Sequence, residues 1–458
     1  MGTLSTTGAV GPGPPLEPGA PVERDVQAEH AAPVLAAVPA RVGDLAGQLG
    51  SRGELPAYIY DVDQVAGHAG RIAAALPSGA EFYYAVKANP DPELLRAVAA
   101  HADGLEVSSG GELAHVAAHV PGCGLAFGGP GKSAAELASA VKLGARIHVE
   151  SPHELRLLAA VAAAAAADAD VLLRVNLPDA VRGEWAPVAG GTATGAALPA
   201  GALEMGGGPT PFGMDPGALD YCGMLLPGLP RLRLRGLHAH LASGLDAAAL
   251  GRVAANVITF SRDWCGRRGI PRAEINVGGG MSVDYRRPDA HFDWQAYGQR
   301  LGELARPGET IRIEPGRAVT AYCGWYATRV MDVKRTHGEA FAVVAGGTHH
   351  LRTPAAKGHD QPFAVLSDGR WPHGWRREHL ADEPVTLVGQ LCTPKDVLAR
   401  GVRVKRLRAG DIVLFAMAGA YAWNISHHDF LMHPPPGAHY VRGAPCGGHG
   451  AQPGALGG

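Results

Sequence analysis

The feature that most limits how this chain can fold is an alternation that runs through its middle. Short apolar, often β-branched runs recur at residues 81–86, 105–108, 125–128, 146–150, 171–176, 234–240, 274–277 and 310–314. Helical spacing of apolar residues fills most of the gaps, for example at 92–102, 112–119, 134–143, 152–166, 250–268 and 292–305. Eight strands with helices between them is the arithmetic of a (β/α)8 TIM-type barrel, although a doubly wound α/β sheet produces the same alternation. After residue 314 the pattern changes. Strand-like runs at 325–333, 341–346, 385–391 and 411–417 follow one another without long helices, which predicts a separate C-terminal β domain. An early run at 57–60 precedes the barrel and is free to join that domain.

The expected organisation is therefore a disordered tail over 1–50, a segment over 51–80 joining the β domain, a barrel over 81–319, the β domain over 320–435 and a flexible tail over 436–458. Both tails are rich in Gly and Pro and poor in aromatic residues. A Gly- and Ala-rich insertion at about 186–210 reads as a loop or a lid, and the Ala-rich stretch 159–167 as a biased helix.

Composition narrows the function classes. With 46% apolar residues in 458 the chain can bury a large core. Lys and Arg (41) nearly balance Asp and Glu (43), so no strong field draws it to nucleic acid or an anionic membrane, and a small-molecule substrate is expected. The six cysteines are scattered without CxxC spacing, which argues against a disulfide framework or a zinc site and fits the cytoplasm. No metal is expected. The longest apolar run, 157–167, is too short to span a bilayer, and no basic segment followed by an apolar one marks a secretory leader.

The polar and Gly-rich motifs fall just after the predicted strand ends, where barrel active sites lie. They are Lys87, then Ser108 to Gly111, His240 to Gly244, Gly278 to Gly280, and Glu314 to Arg317. Glycines let backbone N–H groups approach a phosphate closely, and Ser243 and Arg317 would add donors. A phosphate site beside a lysine on a neighbouring strand points to a phosphate-bearing carbonyl cofactor, because a lysine amine condenses with an aldehyde.

The string Tyr84-Ala85-Val86-Lys87-Ala88-Asn89 resembles the Schiff-base lysine motif of the fold-type III (alanine-racemase-like) pyridoxal 5'-phosphate (PLP) decarboxylases, the group that includes diaminopimelate, ornithine and arginine decarboxylases. The resemblance continues in order through Glu106 to Leu113, His238 to Gly244, Gly278 to Gly280, Glu314 to Arg317, Gly389 to Cys392 and Gly419 to Tyr421, and spans roughly 55–435. It implies the barrel followed by a β domain. It also implies that Lys87 holds PLP as a Schiff base and His240 stacks on its ring, while Ser243, Gly278, Gly279, Gly280, Gly316, Arg317 and Tyr421 hold the phosphate. Glu314 would face the pyridine nitrogen. A carboxylate there keeps the nitrogen protonated and able to take up the electron pair left by a departing carboxylate, which favours decarboxylation; an ion pair with Arg317 is the competing role. The resemblance further implies a homodimer with shared active sites, in which Cys392 comes from the partner subunit and helps protonate the product.

Some positions depart from the pattern. Glu106 stands where relatives often carry Asp, and Ala242 where they carry Gly. Thr393 follows the cysteine where diamine-producing relatives carry an acidic residue, which turns expectation away from substrates with a distal cation. The segments 346–352 and 422–429 resemble the branch found in siderophore (staphyloferrin-type) biosynthesis, whose members decarboxylate amino acids conjugated to a polycarboxylate. His349, His350 and Arg352, with Lys357 and His359 nearby, are carboxylate donors by type, and Asp396 lies close enough in sequence to Cys392 to join the site. Competing functions are a diaminopimelate-type decarboxylase of primary metabolism, a PLP racemase or epimerase, and a non-catalytic regulator.

Overall fold

The computed structural model describes residues 33–178, 203–270 and 272–443. Residues 179–202, which include the first part of the insertion, residue 271 and the residues at either end of the chain lie outside these, as do the tail expectations that fall on them.

The described chain starts with a correction. Residues 40–50 were assigned to the N-terminal tail, yet Ala40–Arg52 is a helix, α1, closed by Gly53 in the left-handed conformation. Its Val42, Ala46 and Leu49 are buried against Ile412 and Leu414 of the β domain. Small residues masked the periodicity: only these three apolar positions carry the helix's packing face. The strand β1 (Ala57–Asp61) follows and does join the β domain.

Next comes the barrel. The strands β2 (Ala80–Ala85), β3 (Gly104–Val107), β4 (Gly124–Phe127), β5 (Arg146–Val149), β6 (Ala169–Arg174), β8 (Leu232–His238), β10 (Glu274–Asn276) and β11 (Thr310–Ile313) close into one parallel cylinder, with the two-residue ribbons β7 (Leu203–Glu204) and β9 (Ala242–Ser243) paired outside it. All eight predicted strands are present, so the barrel stands and the doubly wound alternative falls. The helices begin immediately after the strand-end motifs because the sequence supplies a cap there. Asp91, Ser109, Ser133, Ser151, Asp246 and Asp293 each accept a hydrogen bond from a first-turn N–H of the helix they precede, and Ser133 forms a reciprocal capping box with Glu136. Apolar strand residues such as Phe82, Leu105, Phe127, Ile147, Leu173, Leu237 and Ile275 are fully buried and belong to a core that continues into the second domain through Tyr326, Phe363 and Phe415.

That second domain is a sheet in the order β14 (Phe363–Leu366), β17 (Ile412–Phe415), β12 (Gly324–Thr336), β13 (Glu339–Val344), β15 (His379–Val388), β16 (Val397–Arg408), with β1 also pairing β12. The strands β14 and β16 were not expected. A second correction concerns the C-terminal tail: β18 (Gly437–Val441) runs parallel to β1 and is hydrogen-bonded to it, so the Pro-rich segment before it is a connection and not the start of a free end.

Candidate active site

Lys87 sits in the short turn Val86–Ala88 directly after β2. Its carbonyl accepts a hydrogen bond from Asn424 Nδ2 at 2.7 Å, and Ala85 N–H donates to Pro315 O, so the turn is tied both to the loop after β11 and to the β domain. The ammonium donates to Glu106 Oε2 at 2.6 Å and to Ser108 Oγ at 3.3 Å, and Ser108 in turn donates to Glu106 Oε1. Burial among the strand ends would lower the lysine's pKa, but the Glu106 carboxylate outweighs that and raises it above the ordinary value. The side chain is nevertheless 44% exposed, because it lines an open mouth.

Around that mouth the predicted residues converge. His240, just past β8, accepts the Gly279 N–H at Nδ1, 3.1 Å. Burial first, then the charges of Arg174 and Lys87, push its pKa down to about 3, so the ring is a flat neutral surface. Gly278 and Gly280 adopt left-handed φ of 74° and 105°. A Cβ on Gly278 would meet His240 Nδ1 at 2.8 Å, and one on Gly279 or Gly280 would strike the carbonyl of Glu314 or Ala242, so this bare backbone can belong only to glycine. Gly280 O accepts N–H groups from Gly244 and Leu245, which joins the Ser243 loop to the glycine run. The second half of the insertion ends here too: β7 pairs antiparallel with β9, over Ala242 and Ser243.

At the same end, Gly316 leaves room for the Tyr421 hydroxyl, 3.4 Å from where a Cβ would lie. Tyr421 is held by its own N–H to Ala88 O, and the Arg317 guanidinium packs 4.4 Å from its ring while donating to Tyr285 Oη at 2.9 Å. Glu314 is buried and directed elsewhere. It accepts Asn276 Nδ2 at 2.6 Å, and its oxygens lie near His238 and His148, so the competing pairing with Arg317 is not what the structure forms. These residues fit PLP: an accessible lysine, a neutral imidazole face, a buried carboxylate opposite, and a glycine-lined end with an arginine and a tyrosine.

The proposed substrate donors are not brought together in the same way. Asp396 is buried, with one oxygen accepting the N–H and hydroxyl of Thr348 and the other the N–H of Leu391. It clamps two loops of the β domain and has no face left for substrate. His350 is buried as well, bonded to Tyr326 Oη and Pro434 O, and His349 is wholly enclosed beside it. The histidines were assigned to the substrate from residue type within the segment 346–352 and Asp396 from its nearness to Cys392, and in the single chain burial removes all three from it. Arg352 differs: it is exposed, its N–H donates to Ser426 Oγ, and its charge lowers the pKa of His427, on which burial is the larger effect. The Lys357 side chain lies outside the described residues, and His359 stacks on Tyr285. Cys392 is exposed on the loop 389–396. Sequence reasoning overlooked Asn276, His148, His238, Asn424 and the pairing role of Glu106. His238 and Asn424 had a signal, since they lie in the segments His238 to Gly244 and 422–429 that carry the resemblance.

Comparison with known proteins agrees with this geometry. A family model described as pyridoxal-dependent decarboxylase, C-terminal sheet domain, matches residues 57–419. A Staphylococcus aureus decarboxylase of 2-((L-alanin-3-ylcarbamoyl)methyl)-2-hydroxybutanedioate is 36% identical over 83% of this chain and 92% of its own. An L-glutamyl acyl-carrier-protein decarboxylase of Niallia circulans is 32% identical over 85% of this chain and 89% of its own. Among solved structures, Helicobacter pylori diaminopimelate decarboxylase in complex with L-lysine aligns with a TM-score of 0.73 at 23% identity, covering 86% of this chain and 93% of that one, which is a likeness of fold.

Proposed function

This chain belongs to the pyridoxal-dependent decarboxylases, and we propose that within them it decarboxylates an amino acid conjugated to a carboxylate-rich group, in siderophore or related secondary metabolism. When bound, PLP supplies a carbonyl for amine condensation and a ring that takes up the electron pair released as the carboxylate departs.

The chain's own residues divide the remaining work. Lys87 is the covalent anchor, and Glu106 and Ser108, both within reach of its amine, hold that amine in place. Neutral His240 would offer its ring face to the cofactor. The bare backbone of Gly278, Gly279, Gly280 and Gly316, with Ser243, Arg317 and Tyr421, would hold the phosphate by N–H, O–H and guanidinium donors. Glu314, oriented by Asn276, would face the ring nitrogen, and a carboxylate there would favour decarboxylation over racemisation.

The substrate assignment is carried by the 36% identical relative, whose substrate by name is an amino acid joined through an amide to a hydroxydicarboxylic acid. Two features of this chain support it. Thr393 places no negative charge beside Cys392 for a distal ammonium. Arg352 is an exposed cation beside Ser426, in the same short segment as Asn424, which bonds the Lys87 carbonyl. We also infer a homodimer in which Cys392 of one subunit reaches the other's site. Its exposure, and that of Ile425, Phe430, Leu431 and Met432, fit a face that a second copy covers. The five described cysteines are free thiols, in keeping with a cytoplasmic enzyme, and no helix among the described residues is long and apolar enough to cross a membrane.

The test is carbon dioxide release from the PLP-loaded enzyme with the amide conjugate, its free amino-acid half and diaminopimelate. Preference for the conjugate is the expected result; preference for diaminopimelate would overturn the substrate assignment. Replacing Arg352 with Ala should raise KM for the conjugate about 10-fold with little change in kcat, as for loss of binding shared by ground and transition states.

A further inference from the structure

Toward the C-terminal ends of the barrel strands, His148 on β5 and His238 at the end of β8 stack with ring centroids 4.2 Å apart and planes 22° from parallel. Both are buried, and none of their four ring nitrogens has a hydrogen-bond partner among the described residues. Native proteins keep few such groups, so four together call for a purpose. Neither ring carries charge: burial drives both pKa values well below the ordinary one, helped by the His238 ring for His148 and by Arg174 for His238.

One acceptor faces both rings. His238 Nε2 lies 3.4 Å from Glu314 Oε2, and His148 Nε2 lies 3.8 Å from Glu314 Oε1, the oxygen that already accepts from Asn276. Three such groups could in principle hold a metal ion. Bonds of about 2 Å around a tetrahedral ion do allow donor atoms this far apart. The stacking does not, because near-parallel rings direct their in-plane lone pairs side by side, and an ion between them would lie off both planes. The same arrangement leaves two Nε2 atoms side by side before the two oxygens of one carboxylate, slightly beyond hydrogen-bond geometry. The surrounding cations do not compete for it, since Arg174 is paired with Glu150, Lys132 with Glu154 and Arg312 with Glu81.

We propose that His238 and His148 are positioning residues for Glu314: with Asn276 they fix its carboxylate, by neutral donors alone, in the orientation that meets the ring nitrogen of PLP. This rests on the assignment of Glu314 to that nitrogen. Neutral donors matter because a lysine or arginine in their place would neutralise the carboxylate and leave less negative charge for the protonated ring.

The experiment compares PLP-loaded wild type with His238→Phe, which keeps the stacked shape without donors, His238→Gln, which returns an N–H near Nε2, His148→Phe, and Glu314→Gln, with thermal melting to verify folding. The readouts are the visible absorption of bound PLP as pH is scanned, and kcat and KM. In wild type the spectrum should hold steady through the neutral range. In Glu314→Gln and both Phe variants it should shift with pH, with kcat falling about 10- to 100-fold in the Phe variants at nearly constant KM, as for loss of groups that orient a ligand from behind. His238→Gln should recover most of the loss. If Glu314→Gln changes the spectrum but both Phe variants match wild type, the positioning role fails and the Glu314 assignment stands. If Glu314→Gln also leaves the spectrum unchanged, both fail. Stoichiometric zinc uptake by the PLP-free chain, lost in His238→Phe, would replace the donor pair with a metal site.

Discussion

The two ends of the barrel treat buried polarity in opposite ways. At the N-terminal ends of the strands, Arg312 of β11 is bonded to Glu81 of β2 and Glu274 of β10, and Arg146 of β5 to Glu274 and Asp170 of β6. This ring of paired charge ties together strands remote in sequence, although Arg312 Nη1 is buried without a hydrogen-bond partner. At the C-terminal ends stand a partly exposed lysine, stacked histidines whose ring nitrogens make no hydrogen bond among the described residues, and glycines holding left-handed backbone. One end matches its cations with carboxylates, and the other holds stacked histidines without hydrogen bonds and strained glycines. That is the division expected when stability is built at one face of a barrel and chemistry at the other.

The division breaks most simply at Lys87. Lys87→Ala should abolish the absorption of covalently bound PLP and reduce turnover by about 10³-fold or more, since the covalent route itself is lost. Melting temperature should be unchanged or slightly lower, because Lys87 is partly exposed and Ser108 still donates to Glu106, although the buried Glu106 loses its cation. A marked loss of stability would mean that the Lys87–Glu106 pair belongs to the scaffold, and the contrast between the ends would fail.

The opposite pattern is expected below. Arg312→Met removes one partner from a buried pair, leaving Glu81 without its cation and Glu274 with Arg146 alone, which should cost about 3 kcal/mol, the low end for a buried pair because Glu81 is one-third exposed. Denaturant unfolding would show the loss, and turnover per folded molecule should match wild type. Reduced turnover at full folding would mean that the lower end also shapes the site.

Sequence and structure meet unevenly for the same reason. The eight barrel strands were legible because each is a short apolar run ended by a polar or glycine motif, and Lys87, His240 and Glu314 because barrel topology places strand ends at the mouth. In the β domain, β16 alternates apolar and charged residues around Gly401 and β14 is a four-residue run, so neither stood out from loop. Helix α1 and strand β18 lay in segments whose Gly, Ala and Pro content resembled tails, and only long-range packing makes them structure. His349, His350 and Asp396 misled because neither residue type nor nearness in sequence to Cys392 reports burial. The contact of His148 with Glu314 is made across the barrel interior, between strands that no local pattern relates.

The smallest effect separates the two ends by pH. An imidazole kept neutral in the fold but free to protonate once unfolded makes the unfolded chain bind more protons, so stability falls as pH falls below the ordinary histidine value. Burial, aided by neighbouring charge, holds His240 at about 3, and burial holds His350 at about 3 and His349 at about 4 against the pull of Asp396. Their contributions are complete above about pH 6.5, decline from there, and are exhausted near the folded values. At about pH 5.5 each costs roughly 1.4 kcal/mol relative to neutral pH, one pKa unit's worth. The lower ring behaves differently. Burial raises the Asp170 carboxyl, but hydrogen bonds from Arg235 and Arg233 and the charge of Arg146 together lower it, so its contribution is lost only below the ordinary carboxylate range. Mild acid should therefore loosen the mouth and the β domain before the lower end. Hydrogen exchange at about pH 5.5 should show lost protection around Leu237 to Leu241 and in β13 while the first residues of β5 and β10 remain protected. His349→Phe should flatten the dependence of unfolding free energy on pH between neutral and mildly acid conditions, whatever its effect on absolute stability. An unchanged slope would mean that His349 is neutral for a reason other than burial, such as a partner from a second subunit.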